Sequence, residues 1–228
     1  MAGQRFLLML RSDENDRGYH EVPFVHHPWE DCGHLKGEKT MKGFIPAPHF
    51  HYLLHPYSTS LVTCCNAEGR PNIIAIAWLI PLSGDPPLVG MSIRPSRYSY
   101  VLIREVGEFV VNIAPYELAA QVLVCGRRSG RDLDKFAATG LTAGVAQKVQ
   151  PPIIKECPGF LECRVVDDIK AGDHRLVIGE VLAAYAKAES LEDGGLRALN
   201  RAQPLLHIGK NCFTTTEKTI VEPRLSAR

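Results

Sequence analysis

The sequence lacks several features by which a protein class is commonly identified. No stretch of it approaches the roughly 20 consecutive apolar residues of a membrane-spanning helix. The short apolar run at residues 6–10 is followed at once by charged side chains and by no small-residue cleavage site, so a secretory signal is not indicated. The formal net charge of +1 provides no field that would favour nucleic acid or an anionic membrane. We therefore expect a cytoplasmic protein without a nucleic-acid or membrane partner.

Familiar catalytic and nucleotide-binding motifs are missing as well. No GxGxxG follows a strand-like segment, and no Gly-Lys-Ser/Thr follows Gly126 or Gly130, so neither a Rossmann site nor a P-loop is indicated. The sequence also has no GxSxG, HExxH or kinase signature. This scarcity of acid–base groups is consistent with chemistry carried out by a bound cofactor that the protein positions.

The cysteines do not form a recognisable framework. There are seven, an odd number, and no two have CxxC spacing. Cys64 and Cys65 are adjacent, which suits neither an unstrained disulfide nor a tetrahedral metal site. We interpret the cysteines as small buried hydrophobic residues in a reducing compartment.

Residues 1–40 differ in composition from the rest of the chain. Hydrophobic periodicity is absent from residues 12–40, which favours a loop or disorder. We predict an N-terminal extension at residues 1–40, either disordered or an arm around a partner subunit, followed by one domain at residues 41–228. Several metal-binding side chains lie in the extension, but their irregular spacing completes no familiar metal site: His20, His26, His27, Cys32 and His34.

From residue 55 onward the chain reads mainly as strands. Residues 59–65 and 72–78 predict a β-hairpin, with Gly69 supplying a positive φ in the turn. Further strands are predicted at residues 88–93, 108–113, 160–169 and 176–186, with a bulge or bend at Gly179, and short helices at residues 98–106 and 115–124. Many strands with few short helices favour a β-barrel with peripheral helices.

Alanine residues alternate with isoleucine in the second strand of the hairpin. Ala75 and Ala77 leave a face of small side chains, where a flat group could approach the backbone. The alternative interpretation is ordinary packing against a neighbouring helix.

A phosphate-binding corner is predicted where the strand at residues 88–93 ends and a helix begins. The free N–H groups and positive dipole end of a helix suit an anion, and hydroxyl and guanidinium groups there suit a phosphate monoester. Ser96 is the predicted N-cap of this helix. A capped surface helix without a ligand is the alternative. The polar side chains of the corner are Arg94, Ser96, Arg97, Tyr98 and Ser99.

Two further segments carry candidate functional groups. Residues 127–131 contain three arginines, which could pair with a phosphate or belong to a solvated loop. The turn residues Asp173 and His174 could supply a proton donor or face a nicotinamide, and the alternative is a satisfied turn histidine.

The ordered series of motifs resembles the flavin reductase-like, FMN-binding split-barrel family, and within it the flavoredoxin-like branch. No single motif is specific, whereas the order of the whole series is. The segments that carry the resemblance are residues 62–63, 69–73, 77–78, 86–89, 92–93, 107–112, 129–136, 172–174, 178–181 and 204–210.

The resemblance implies a fold, a cofactor and an assembly. The fold would be mainly β, a Greek-key-like split β-barrel with a few short peripheral helices. FMN would lie near the interface of a homodimer, with the strand at residues 72–78 behind the isoalloxazine and Lys135 as a second phosphate contact. His174 would be the catalytic residue near the nicotinamide. The implied cofactor-binding residues are Asn72, Ala75, Ala77, Trp78, Ser92, Arg94, Tyr98, Ser99 and Lys135.

Three functions are compatible with this resemblance. The first is a flavin reductase that uses NADH or NADPH, or a reductase of a small acceptor such as ferric iron, by hydride transfer through FMN. The second is a non-catalytic, flavoredoxin-like electron carrier that is reduced by a partner protein. A third, weaker alternative is a structural dimer with a vestigial pocket.

Overall fold

The computed structural model describes residues 45–190 and 203–216. The predicted extension at residues 1–40, with its histidines and Cys32, lies outside the described residues. Within the described ranges, no helix is long and apolar enough to cross a membrane.

The described chain consists of twelve strands and six short helices. The strands are β1 (Tyr57–Ser58), β2 (Ser60–Cys65), β3 (Pro71–Ile76), β4 (Leu79–Gly84), β5 (Pro87–Ile93), β6 (Glu108–Ile113), β7 (Ala143–Gly144), β8 (Ile153–Ile154), β9 (Gly159–Ala171), β10 (His174–Ala186), β11 (Leu206–Gly209) and β12 (Cys212–Thr214). The α-helices are α1 (Tyr98–Val106), α2 (Ala119–Arg127) and α3 (Lys135–Thr139), and 3-10 helices cover Ala47–Leu54, Tyr116–Leu118 and Ala188–Ser190.

Seven strands form one antiparallel sheet in the order β3-β2-β6-β9-β10-β5-β4. Although β3 and β4 are consecutive in the chain, they occupy opposite ends of this order. Only Ala77 and Trp78 separate these two strands, so the sheet curls to bring its two ends together. The backbone N–H of Ser92 donates to the carbonyl of Trp78 at 2.9 Å, which continues the β4–β5 ladder to the end of β3. This nearly closed, mainly β sheet with peripheral helices confirms the predicted fold class.

Two apolar cores lie on the two faces of the sheet. Val62 and Ile74 contribute to the core inside the curled sheet, whereas their neighbours Leu61 and Ile73 contribute to the core between the sheet and α2. Because successive side chains of a strand point to opposite faces, a strand that lies between two cores is buried along its whole length. This explains why every residue of β2 is buried.

The local predictions are largely confirmed. β2 and β3 form the predicted hairpin, and Gly69 in its turn has a φ of 81°. The pairing of β9 with β10 shifts register between Ile178 and Gly179, as predicted for a bulge. The predicted helix at residues 115–124 is a 3-10 turn followed by α2, which extends to Arg127.

One local prediction was wrong. Ser96 does not cap α1, because the N-cap position is Arg97, whose side chain makes no capping hydrogen bond. Pro95 and Ser96 instead belong to the turn in which the N–H of Arg97 donates to the carbonyl of Arg94 at 3.0 Å. The first turn of α1 therefore has no capping side chain at its N-cap.

Candidate functional site

A polar corner forms where β3, α1 and the loop after α2 meet. Asn72 is buried at the start of β3, and its Nδ2 donates to Oγ of Ser99 in the first turn of α1 at 2.8 Å. Gly130 lies against the same amide, since a Cβ at this position would clash with Asn72. Three segments far apart in the sequence thus meet at one point.

The arginine-rich segment contributes a cation to this corner. The guanidinium of Arg131 lies 4.9 Å from the centre of the Tyr98 ring, a cation–π arrangement. Tyr98 is the first residue of α1, whose N-terminal N–H groups and dipole favour an anion. The α1 N-terminus and Arg131 of the arginine run therefore lie side by side, whereas Arg127 of the same run donates to Oδ1 of Asn211 and to the carbonyl of Lys210.

Lys135 occupies a different environment from that of a solvent-facing phosphate ligand. Its side chain is buried, and Nζ donates to the carbonyls of Ile73 at 2.6 Å and of Cys125 at 2.8 Å. Burial lowers the pKa of this ammonium. In this structure Lys135 ties β3 to the end of α2, and a phosphate contact would use its one remaining donor. Its role as a second phosphate ligand stays a prediction.

An aromatic cluster lies at the other end of β3. The indole of Trp78 is 5.1 Å from the imidazole of His174 and 5.8 Å from that of His51, measured between ring centres. His174 begins β10, and its Nδ1 is 2.7 Å from Oδ1 of Asp173. This hydrogen bond is the main cause of the lowered pKa of Asp173.

A surface ion pair connects the cluster to the phosphate corner. Arg94 lies between β5 and α1, and its Nη2 is 3.1 Å from Oδ2 of Asp173. Both side chains are more than half exposed, so the pair contributes little to stability. It does link the Asp173-His174 turn to the segment that leads into α1, which makes the candidate site continuous.

The edge of β3 connects the two ends of the site. β3 is the terminal strand of the sheet, so part of its backbone is free to bond a ligand. Ala75 faces α2, because a Cβ at Gly126 would lie 3.4 Å from its Cβ. Helix packing therefore accounts for the small side chain of Ala75, while Ala77 and Trp78 are partly exposed beyond the strand.

The sequence interpretation missed the histidines that lie beside the site. His51 belongs to the 3-10 helix Ala47–Leu54, and the histidine that follows this helix, His55, lies 5.9 Å from it between ring centres. A signal was present, because residues 45–67 contain no Asp, Glu, Lys or Arg, while three histidines and several aromatic residues lie in this run. Histidine is then the only residue in this run whose side chain can become positively charged near neutral pH.

The residues of the corner and the cluster suit a ligand with an anionic end and a planar end. Ser99, Arg131 and the α1 N-terminus match the hydrogen-bond acceptors of a phosphate monoester. Trp78 offers an aromatic face, and His174 is the titratable group beside it. Within the described ranges, no group of His, Cys, Asp and Glu side chains could hold a metal ion.

Known proteins are similar to this chain in sequence. A family model described as "Flavin reductase like domain" matches residues 52–216. A protein of Archaeoglobus fulgidus is 38% identical over 170 residues, which cover 75% of this chain and 94% of the relative. A flavin reductase of Pseudomonas putida is 30% identical over 151 residues, covering 65% of this chain and 85% of the relative.

Solved structures agree with the family match. Flavoredoxin from Methanosarcina acetivorans superposes with a TM-score of 0.70 at 28% identity, covering 81% of this chain and 96% of that one. An FMN-binding protein from Thermus thermophilus, solved with bound 1-cyclohex-2-enone, gives a TM-score of 0.69 at 26% identity and covers 82% of this chain and 100% of that one. The matched region contains every residue predicted to bind the cofactor. The chain therefore belongs to the flavin reductase-like family, as the ordered motifs predicted, and its curled sheet is a split barrel.

Proposed function

We propose that this protein binds FMN and acts as an oxidoreductase, passing reducing equivalents from NADH or NADPH through the flavin to free flavin or to a small acceptor. The observation that carries the proposal is the meeting of Asn72, Ser99, Gly130 and Arg131 at the N-terminus of α1, at one end of an edge strand whose other end leads to Trp78 and His174. The family match and the flavin-linked names of the relatives support the same function.

The phosphate corner and the length of the site suit a ligand with one phosphate monoester. Asn72 is fixed by Ser99 and by the close approach of Gly130, so the corner is preorganised. Arg131 supplies the positive charge. From Asn72 to Trp78 the chain advances by six residues, roughly 20 Å when extended, so a ligand that reaches both ends must be elongated. FMN has one phosphate monoester at the end of an extended ribityl chain.

Each part of the chain has a distinct role in this proposal. Bound FMN would supply the hydride and electron chemistry. The α1 N-terminus and Arg131 would hold its phosphate, while Ser92 and Arg94 would line the connection between the two ends. Trp78 would orient the planar ring. Because Nδ1 of His174 bonds to Asp173, Nε2 is the nitrogen left to hold or deliver a proton beside that ring.

A homodimer is part of the proposal. The 3-10 helix Ala47–Leu54 has no buried residue, and its Phe50, Leu53 and Leu54 are 56%, 72% and 58% exposed. Exposed apolar side chains grouped in this way are typical of interaction surfaces. A second copy of the chain would cover them close to Trp78.

The first experiment is reconstitution with FMN. We expect the purified protein to bind FMN and to show flavin absorbance after removal of excess ligand. Arg131→Gln should weaken binding roughly tenfold, about 1.4 kcal/mol, because it removes the cation at the phosphate corner. Arg164→Gln is the matched control, since Arg164 is an exposed arginine that pairs with Glu180 on the barrel strands. Protein that ignores FMN, or equal effects of the two substitutions, would contradict the proposal.

The second step distinguishes the enzyme from the electron carrier. The FMN-loaded protein is mixed anaerobically with NADH and separately with NADPH. Bleaching of the flavin within seconds, followed by reoxidation on addition of ferric iron or free flavin, supports the reductase. If neither nucleotide bleaches the flavin and only a partner redox protein does, the flavoredoxin-like carrier is the correct function.

A further inference from the structure

The 3-10 helix Ala47–Leu54, which we call the histidine helix, contacts Trp78 and β11 through aromatic rings. It has no buried residue. At its C-terminal end, the imidazole of His55 lies 5.3 Å from that of His207 in β11, between ring centres. The ring of Tyr52 packs on Gly209, where a Cβ would lie only 2.8 Å from Cε1 of the tyrosine. Gly209 therefore allows the helix to lie close to β11.

A row of rings leads from β11 to the candidate site. His51 lies 5.9 Å from His55 and 5.8 Å from Trp78, between ring centres. Trp78 is then 5.1 Å from His174. The indole thus has two imidazole neighbours that come from different elements, one from the histidine helix and one from the start of β10.

The contacts named above between this helix and Trp78 or β11 are all made by rings. Residues 45–67 contain no Asp, Glu, Lys or Arg. The indole itself is only partly buried. A large side chain at a partly buried position keeps one rotamer only if neighbouring groups restrict it. His51 and His174 are the ring neighbours of Trp78 in the part of the chain that the structure describes.

We propose that His51 is a positioning residue, which holds the Trp78 indole beside His174 and so shapes the surface that receives the planar part of the ligand. The interactions of His55 and Tyr52 with β11 fix the histidine helix so that His51 can do this. The statement that the ligand is FMN rests on the proposed function, whereas the positioning of Trp78 is a property of the chain itself.

Tryptophan fluorescence tests this proposal without any ligand. The sequence has two tryptophans, Trp29 and Trp78, so a Trp29→Phe background makes the emission report Trp78 alone. In that background we expect His51→Ala to shift the emission maximum to longer wavelength, because the indole gains contact with water. His51→Phe should restore the original emission, since it keeps a ring at that position.

Affinity for FMN provides the second measurement. The loss of an aromatic contact on Trp78 should raise the FMN Kd by roughly three- to tenfold in His51→Ala, and His51→Phe should recover most of it. His49→Ala is the matched control: His49 lies on the same helix, is exposed, and has no ring neighbour outside that helix among the described residues. We expect this variant to leave both the emission and the Kd unchanged.

The outcomes separate the two proposals. Unchanged emission in His51→Ala would overturn the positioning role, and so would an equal shift in His49→Ala, which would assign the effect to the helix as a whole. Failure of His51→Phe to restore the emission would also overturn a role based on ring contact. If the parent protein does not bind FMN, the proposed function fails, while the emission of the ligand-free variants still decides the role of His51.

Discussion

At the residue scale, the site depends on groups whose neighbours change their chemistry. The buried thiols are one example, because burial makes them less reactive. Burial raises the pKa of Cys64 to about 12 and that of Cys125 to about 11, so both stay protonated at neutral pH. Five of the six cysteines in the described ranges are buried and all six are free, which confirms their interpretation as small hydrophobic residues.

His55 is the residue whose protonation we expect to affect stability. Burial is the main cause of its lowered pKa, and the nearby charges of protonated His207 and His51 lower it further. Its Nδ1 is buried without a hydrogen-bond partner among the described residues. Between this lowered pKa and the ordinary value near 6.5, the unfolded chain binds a proton that the folded chain does not, so stability rises with pH through this window and falls on acidification.

The prediction concerns the loss of stability between pH 7.5 and pH 5.5. His55→Phe removes the titrating group and keeps a ring, so its free energy of unfolding should fall less on acidification than that of the parent protein. Urea unfolding at the two pH values measures the difference. His49→Phe, a change on the same helix, is the control and should leave the pH dependence unchanged. Equal pH dependence in the parent and His55→Phe would refute this explanation.

At the scale of elements, the long hairpin β9–β10 shows how one glycine sets the packing of a strand. Gly179 lies at a register shift, and a Cβ there would be 2.5 Å from Cζ of Phe109, a buried residue in the barrel core. The absence of a side chain at this bulge allows Phe109 of β6 to fill the interior. The bulge at Gly179 and the packing of Phe109 in the core therefore depend on each other.

Gly179→Ala should destabilise the barrel by overpacking, by about 1–3 kcal/mol. For a chain of this size, that corresponds to a fall in Tm of roughly 2–12 °C. Thermal unfolding followed by circular dichroism measures it. Gly84→Ala is the matched control, because a Cβ at Gly84 meets no atom within 4 Å. A Tm for Gly179→Ala equal to that of the control would show that Phe109 moves aside at no cost.

At the scale of the whole molecule, FMN should stabilise the fold, because a ligand that binds only the native state shifts the unfolding equilibrium. FMN at about 100 times its Kd adds about 2.7 kcal/mol, which corresponds to a rise in Tm of roughly 5–10 °C. Riboflavin, which lacks the phosphate, should give a smaller rise at the same concentration. Equal shifts with FMN and riboflavin would mean that the phosphate corner is not used.

The same measurement tests the predicted extension. The predicted cofactor-binding residues lie between Asn72 and Lys135, so deletion of residues 1–40 should preserve the rise in Tm with FMN. Loss of that rise on deletion would assign part of the binding site to the extension. Size-exclusion chromatography with light scattering on both chains then shows whether the protein is the proposed dimer and whether its assembly needs residues 1–40.

Local patterns in the sequence determined much of the fold. The alternation of side chains, the turn at Gly69 and the bulge at Gly179 follow from short-range sterics and from the two-residue period of a strand, so a single sequence predicts them. The order of the motifs identified the family. The N-cap of α1 was predicted one residue too early, because the turn that precedes the helix depends on its neighbours.

Only the tertiary structure decided which groups meet at the site. Asn72 and Ser99 are 27 residues apart and Lys135 and Ile73 are 62 apart, yet each pair is joined by a hydrogen bond in the buried part of the protein. Glu162 is fully buried and accepts hydrogen bonds from the N–H of Gln147 and from the hydroxyl of Tyr185, which no local pattern predicted. The physical reason is that a buried polar group must find its partner wherever the strand order places one, and strand order is a property of the whole sheet. The sequence by itself therefore determined a mainly β domain of the flavin reductase-like family. The curled sheet decided that Arg131, the α1 N-terminus and the rings around Trp78 lie along one strand, β3.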